Sequence, residues 1–263
     1  MKLEELNKKY LESTEMCKIA KKYGTDKHQH GYTKIYYNLM KDKREESINI
    51  FEIGIYMGNS IKLWDEFFTN GLVCAIDNGR LLPNVSLRLG NSNENPSLDD
   101  INLLEGKCTN AGFEWIETDK IKCSIADQRS IDELQKSFTH FGCDEFDFII
   151  DDGHHFQEHQ QKTLGLLFKN IKSGGYYIIE DICDFHDLQN GSFWGQKRSD
   201  CTDSSDYVFS KFIKDGILES DYMTPDEIKY VMGNISDIFL YDSCNRNNSP
   251  ISGTSKILVI RKK

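Results

Sequence analysis

A chain of 263 residues, 38% hydrophobic and 28% charged, is long enough to bury a substantial core as one domain, with room for an appendage. Its formal net charge of −10 sets an acidic surface against phosphate backbones and argues against nucleic acid as a partner. No run approaches the ~20 apolar residues of a membrane helix, and the opening MKLEELNKKYLESTEMCKIAKKYG lacks the apolar centre of a signal peptide. The expectation is therefore a cytoplasmic protein with no membrane partner; self-association is left open.

Residues 3–22 carry apolar side chains at helical spacing and run to Gly24, a helix terminator. The polar and aromatic stretch after it, through Met40, is too rich in Gly and His for a plain helix. Residues 1–47 thus read as an N-terminal helix and lid segment, and 48–263 as the main domain. INIFEIG is a buried strand ending in glycine. NSIKLWDEFFTNG then places Ile61, Leu63, Trp64, Phe67 and Phe68 on one face of a helix closed by Gly71. LVCAID, FDFIID, GYYIIED, SDIFLYD and KILVIRK are further strands, with helices at about 129–140, 156–170, 204–215 and 225–232. Strands alternating with helices predict an α/β fold: a mostly parallel, Rossmann-like sheet with helices on both faces. The last two strands are joined by the turn-rich CNRNNSPISGTS and should form an antiparallel hairpin. Residues 78–120 break the rhythm and read as an extended insertion with one minor strand, GFEWIET. The eight cysteines form no CxxC pair, and several sit in apolar runs, which suits reduced core thiols.

Open α/β sheets bind ligands at the carboxyl ends of their strands. The first strand ends in Glu52-Ile-Gly54-Ile-Tyr-Met-Gly58-Asn-Ser60, where glycines let the backbone turn and approach a ligand, and the next helix offers free N–H groups. The pattern lacks the GxGxxG of a dinucleotide site. Asp77 ends the second strand about 20 residues past Gly58, the distance at which nucleotide folds place a carboxylate on ribose hydroxyls. Asp127 follows the run IKCSI, where it can accept from an adenine amino group or cap the next helix.

The densest chemistry lies in FDFIIDDGHHFQEHQ…GGYYIIEDI. Asp151-Asp152 and Glu180-Asp181 each end a strand, and Asp152 lies about 30 residues from Asp181, one strand–helix–strand crossover. Carboxylates packed side by side repel, and a hard divalent cation relieves them. Asp152 and Asp181, with Glu180 as a third candidate, are the expected ligands; Asp151 is expected to bind a cofactor, and one carboxylate of the set could hold that cofactor's amine. His155, just past Asp152, suits a general base, with His154 and His159 as rivals; His155 and His159 are spaced to share a helix face.

Glu52/Gly54/Gly58, Asp77 and Asp127 at successive strand ends resemble the class I S-adenosylmethionine (SAM)-dependent methyltransferases over about residues 48–263. That resemblance implies a seven-stranded sheet with a terminal antiparallel hairpin, Asp77 on the SAM ribose and Asp127 near adenine. IIDDGHHFQEHQ…IED is similar to the sugar O-methyltransferases of macrolide biosynthesis (the mycinose type) and to relatives that methylate surface polysaccharides. By that similarity Asp152 and Asp181 hold Mg²⁺, His155 is the base, and the partner is a small-molecule sugar acceptor, such as a nucleotide-linked capsular heptose. His154 stands where the pattern has serine. Tyr23-Gly24-Thr25-Asp26-Lys27…His30…Tyr32…Tyr36 resembles an element that precedes the core in this group, and suits a lid over cofactor or sugar or a docking loop for the N-terminal helix. Trp194 is a candidate to stack on a sugar. A catechol-type O-methyltransferase and a non-catalytic SAM-fold subunit are the rival functions.

Overall fold

The computed structural model describes residues 14–78, 118–185, 189, 200–243 and 255–263. In chain order these form α1 (Glu15–Tyr23), α2 (Tyr32–Met40), β1 (Asn49–Ile53), α3 (Asn59–Phe67), β2 (Leu72–Asp77), β3 (Ile121–Ile125), α4 (Ile131–Phe141), β4 (Phe146–Asp151), α5 (Gln157–Leu167), β5 (Ile171–Cys183), α6 (Ser205–Asp215), α7 (Pro225–Asn234), β6 (Ile235–Asp242) and β7 (Ser255–Lys262). The strands make one seven-stranded sheet in the order β3-β2-β1-β4-β5-β7-β6. β1 to β5 run parallel, and β7 pairs antiparallel with both β5 and β6. This is the expected Rossmann-like sheet with its C-terminal antiparallel hairpin, and the order reverses at β1, the switch point where such sheets bind ligands.

Successive strand residues point to opposite faces, and two cores follow. Ile50, Phe148, Ile150 and Ile178 pack with Trp64, Tyr36, Tyr32 and Met16, so α1–α3 cover one face. Phe51, Ile53, Ile149 and Ile179 pack with Phe138, Leu164, Phe209 and Val231, so α4–α7 cover the other. Each core is anchored by ring contacts, Tyr36 edge-on to Trp64 at 5.0 Å in the first and Phe51 on Phe146 at 5.1 Å in the second. Local signals mark the helix ends. Ser130, Ser204 and Thr224 accept N-cap hydrogen bonds, the last in a full capping box with Pro225 following. Gly24, Gly142 and Gly216 close α1, α4 and α6 in the left-handed conformation.

Three expectations change. Tyr32–Met40 is a helix: the Gly and His that argued against one precede it, with Gly31 turning the chain at its N-cap. α3 ends at Phe67 with Phe68 already extended, three residues before Gly71. α4 begins at Ile131 behind Ser130, so Asp127 is not its cap. The N-terminal helix is described only from Glu15. Nearly all of the 78–120 insertion, GFEWIET with it, and the turn between β6 and β7 lie outside the described residues. Among the described residues, Cys17, Cys74 and Cys143 are free thiols, and no helix is long and apolar enough to cross a membrane.

Candidate active site

The glycine turn after β1 is built by close backbone approach. Gly54 has φ +95°, and a Cβ there would lie 2.1 Å from the Asp152 carbonyl oxygen, so β1 and β4 meet at that point only through glycine. Gly58, also left-handed, is the N-cap of α3, and Ser60 is buried in its first turn. Between them Tyr56 has φ +45° and is 61% exposed, an aromatic on the lip of the turn that the sequence did not single out. Asp77 lies beside this turn, and its Oδ2 accepts from the Ile55 and Tyr56 amides at 2.9 and 3.1 Å. Asp77 thus holds the loop expected to carry a cofactor. Asp127 is clasped by Arg129, whose Nε and Nη2 donate to its two oxygens at 3.0 and 2.8 Å. Burial pushes the Asp127 carboxyl up, but the bonds from Arg129 hold it below the ordinary carboxylate range.

The tips of β1, β4 and β5 bring the acidic residues together on the α1–α3 face. Glu52 and Glu180 are fully buried and meet a lysine from the turn after α1. Lys27 Nζ lies 3.1 Å from Glu52 Oε1, 3.0 Å from Glu180 Oε1 and 2.6 Å from Asp152 Oδ2. Burial works against the ammonium charge, but Asp152, Glu180 and Glu52 outweigh it and hold the Lys27 pKa well above the ordinary lysine range. Trp64 Nε1 donates to Glu52 Oε2 at 3.0 Å, and the Tyr36 hydroxyl donates to Glu180. Even so, burial keeps the carboxyls of Glu52, Asp152 and Glu180 above their usual range.

Outside this buried tier lies a partly open one. Asp152, His155 and Asp181 each offer a ligand atom, and these atoms all lie within 4.8 Å of one another, the one such group of three among the described residues. Their side chains are 21%, 20% and 19% exposed. His155 Nε2 stands 4.0 Å from Asp181 Oδ2, and its Nδ1 is buried without a hydrogen-bond partner. The Tyr32 hydroxyl donates to Asp181 Oδ1 at 2.9 Å and also contacts Ser255 Oγ. Burial raises the Asp181 carboxyl, but His155, His30 and the Tyr32 hydroxyl bring it below the ordinary range. His155 has φ +60° and Asp181 φ +50°, a conformation that side chains other than glycine rarely adopt. Such strain concentrates at ligand clamps and reacting sites. For Asp181 its origin is a bulge: the β5–β7 register shifts between Ile179 and Ile182, which turns Asp181 toward the same end as Glu180 rather than the opposite face.

A divalent cation fits this set. The carboxylates of Asp152 and Asp181 are the oxygen donors a hard cation accepts, with the His155 imidazole beside them, and the single ammonium of Lys27 faces three carboxylates, those of Glu52, Asp152 and Glu180.

Several expected site residues sit elsewhere. Asp151 is buried on the α4–α7 face, where Gln128 Nε2 donates to both its oxygens at 3.2 and 3.4 Å, and burial pushes its carboxyl up to about 7. Strand alternation turns it to the face opposite Asp152. Glu180 is engaged by Lys27 and Tyr36 and is not in the group of three. His155 precedes α5, whereas His159 lies within it, so the two do not share a helix face. His159 instead packs edge-on to His154 at 4.9 Å and meets Glu158. Tyr32 and Tyr36 are buried core residues that dock the N-terminal helices, not a lid. Trp194 lies outside the described residues. Lys27, read in the sequence only as part of the segment from Tyr23 to Tyr36, and Gln128, given no role there, organise the two faces; their partners lie far along the chain.

No family model matches the chain. Demethylmacrocin O-methyltransferase of Streptomyces fradiae is 26% identical over 160 residues, 58% of this chain and 32% of that protein. L-olivosyl-oleandolide 3-O-methyltransferase of Streptomyces antibioticus is 26% identical over 182 residues, 65% of this chain and 38% of that protein. The chain therefore spans about a third of the length of the curated relatives it matches. Among solved structures, the MycE methyltransferase from the mycinamycin biosynthetic pathway, in complex with Mg and S-adenosylhomocysteine (SAH), superposes with a TM-score of 0.61 at 20% identity, covering 95% of this chain and 55% of that one. The fold is that of the class I methyltransferases.

Proposed function

We propose that the chain is a SAM-dependent O-methyltransferase that methylates a sugar hydroxyl with the help of a divalent cation, Mg²⁺ by preference. The observation that carries the reading is the meeting of Asp152, His155 and Asp181 beside the glycine turn of β1, at the carboxyl ends of neighbouring parallel strands. The names of the curated relatives, sugar O-methyltransferases, support it, as do the Mg and SAH that the MycE structure holds.

In this reading the turn from Gly54 to Gly58 and the N-terminus of α3 receive the cofactor, with Asp77 and Asp127 toward its ribose and adenine. SAM supplies an electrophilic methyl sulfonium. Asp152 and Asp181 would hold the cation, whose chemistry would be to lower the pKa of a hydroxyl bound to it. His155 takes the hydroxyl proton, its ring fixed at the rim by the left-handed turn that precedes α5. The protein's main contribution is alignment of acceptor oxygen and methyl. A nucleotide-linked sugar, such as a capsular heptose, is the acceptor to try first, and the cytoplasm is where such a donor–acceptor pair would meet.

The test is SAH formation from SAM with a panel of free and nucleotide-linked sugars beside catechols, in Mg²⁺ and in EDTA. Sugar-dependent SAH release that stops in EDTA is expected. Turnover of catechols and no sugar moves the chain to the catechol-type enzymes, full activity in EDTA removes the cation, and no SAM binding by calorimetry makes it a non-catalytic subunit.

A further inference from the structure

We propose that Lys27 is a positioning residue of this site: a built-in counter-cation that lets the carboxylates stand together before any divalent ion arrives, and that fixes Asp152 by one of its oxygens. The inference rests on the cation reading above for its second half only. Three observations carry it. Lys27 has no exposed surface, so its ammonium is not a solvated surface charge. It contacts one oxygen from each of three different strand ends, Glu52 on β1, Asp152 past β4 and Glu180 on β5. It comes from the turn Asp26–His28 between α1 and α2, outside the sheet, so the N-terminal segment supplies the charge that the sheet lacks.

A buried carboxylate without a partner is costly, and three around one point more so. Lys27 answers that cost with a single charge set among three carboxyl groups. Each carboxylate has two oxygens, so an ammonium on Asp152 Oδ2 does not bar a cation from the group that Asp152 forms with His155 and Asp181. It does stop Asp152 from rotating to take the ion with both oxygens. Lys27 thus sets both the orientation of Asp152 and the residual charge that a divalent ion meets.

The experiment compares thermal melts of the wild-type chain, Lys27→Met, Lys27→Arg and the double variant Lys27→Met/Glu52→Gln, each in EDTA and in saturating Mn²⁺, with Mn²⁺ uptake followed by electron paramagnetic resonance. Lys27→Met is expected to melt well below wild type in EDTA. It should recover in two independent ways. Removing a carboxylate with Glu52→Gln should raise its Tm, and Mn²⁺ should raise it by more degrees than it raises the wild type. Lys27→Arg should track the wild type. If Lys27→Met is insoluble, folded protein in the double variant is the same positive result. A Lys27→Met melt equal to wild type, or no rescue by Glu52→Gln, overturns the proposal. The rescue in EDTA needs no metal, so it is separate from the cation reading: a wild-type chain that takes up no Mn²⁺ sinks that reading and leaves the counter-cation to be judged on the rescue alone.

Discussion

Asp151 and Asp152 are neighbours in the chain and end on opposite faces of the sheet. On the α4–α7 face Asp151 is sealed among Gln128, Thr163 and Tyr177, and burial raises its carboxyl to about 7. On the α1–α3 face Asp152 meets the ammonium of Lys27, and it opens toward His155 and Asp181. Both are acidic residues at the end of a central parallel strand. What separates them is compensation and access. Burial raises both carboxyls; Asp151 has an amide partner and no exit and serves packing, whereas Asp152 has a cation that opposes the rise and an opening toward a ligand.

The sharpest way to break the contrast is to remove the charge on each side. Asp181→Asn should lower cation-dependent turnover by on the order of 10³-fold, since one ligand of the reacting set is lost. SAH affinity by calorimetry should change little, because Asp181 is not part of the glycine turn. Asp151→Asn should leave turnover within about tenfold and lower stability by about 1 kcal/mol, the scale of one buried hydrogen bond. If Asp151→Asn proves the more damaging to turnover at unchanged Tm, the assignment of faces is wrong.

His155 comes next. Replacement by Asn keeps a residue that tolerates φ near +60° and removes the imidazole. A loss of roughly 10²–10⁴-fold in kcat is expected, the usual share of a general base. A near-normal rate would pass the role to His154, because His159 lies within α5 beside Glu158, away from the trio.

The layers of this structure were legible to different depths. The strands and the terminal hairpin were readable because buried parallel strands announce themselves as short apolar runs and the CNRNNSPISGTS turn has no room for a crossover helix. That Asp152 and Asp181 meet followed from the length of one crossover. That Asp181 and Glu180 reach the same end did not, because strict alternation puts them on opposite faces and only the bulge before Ile182 brings them together. Lys27 was legible as a letter and not as a role: its three partners lie at Glu52, Asp152 and Glu180, contacts that exist only after the sheet has formed. The tyrosines were left between a lid and a docking loop for a related reason. A Tyr in a polar, Gly-containing stretch resembles a lid, yet the hydroxyls of Tyr32 and Tyr36 are the hydrogen-bond donors that the buried ends of β5 require.

The smallest effect separates the two imidazoles that the sequence placed on one helix face. Burial first, and then Arg129 and His154, pull the His159 pKa down to about 4, against the opposing pull of Glu158 and Asp127. An imidazole with a depressed folded pKa is neutral in the fold and binds its proton more readily once unfolded. Protonation therefore favours the unfolded chain, and the stability that neutral His159 contributes is lost as pH falls from about 6.5 toward about 4. Gln at position 159 cannot titrate, so His159→Gln should lose less stability than the wild type over that window, by on the order of 1–2 kcal/mol or a few degrees of Tm at its acid end. Above pH 7 the two curves should run parallel, and turnover at pH 8 should be unchanged within a factor of about three, since the ring touches His154 and Phe156 rather than the carboxylates of the site. Melts that stay parallel down to pH 4 would mean that His159 is solvated in the fold. Loss of turnover at pH 8 with unchanged melts would bring it into the reacting set after all and dissolve the distinction from His155.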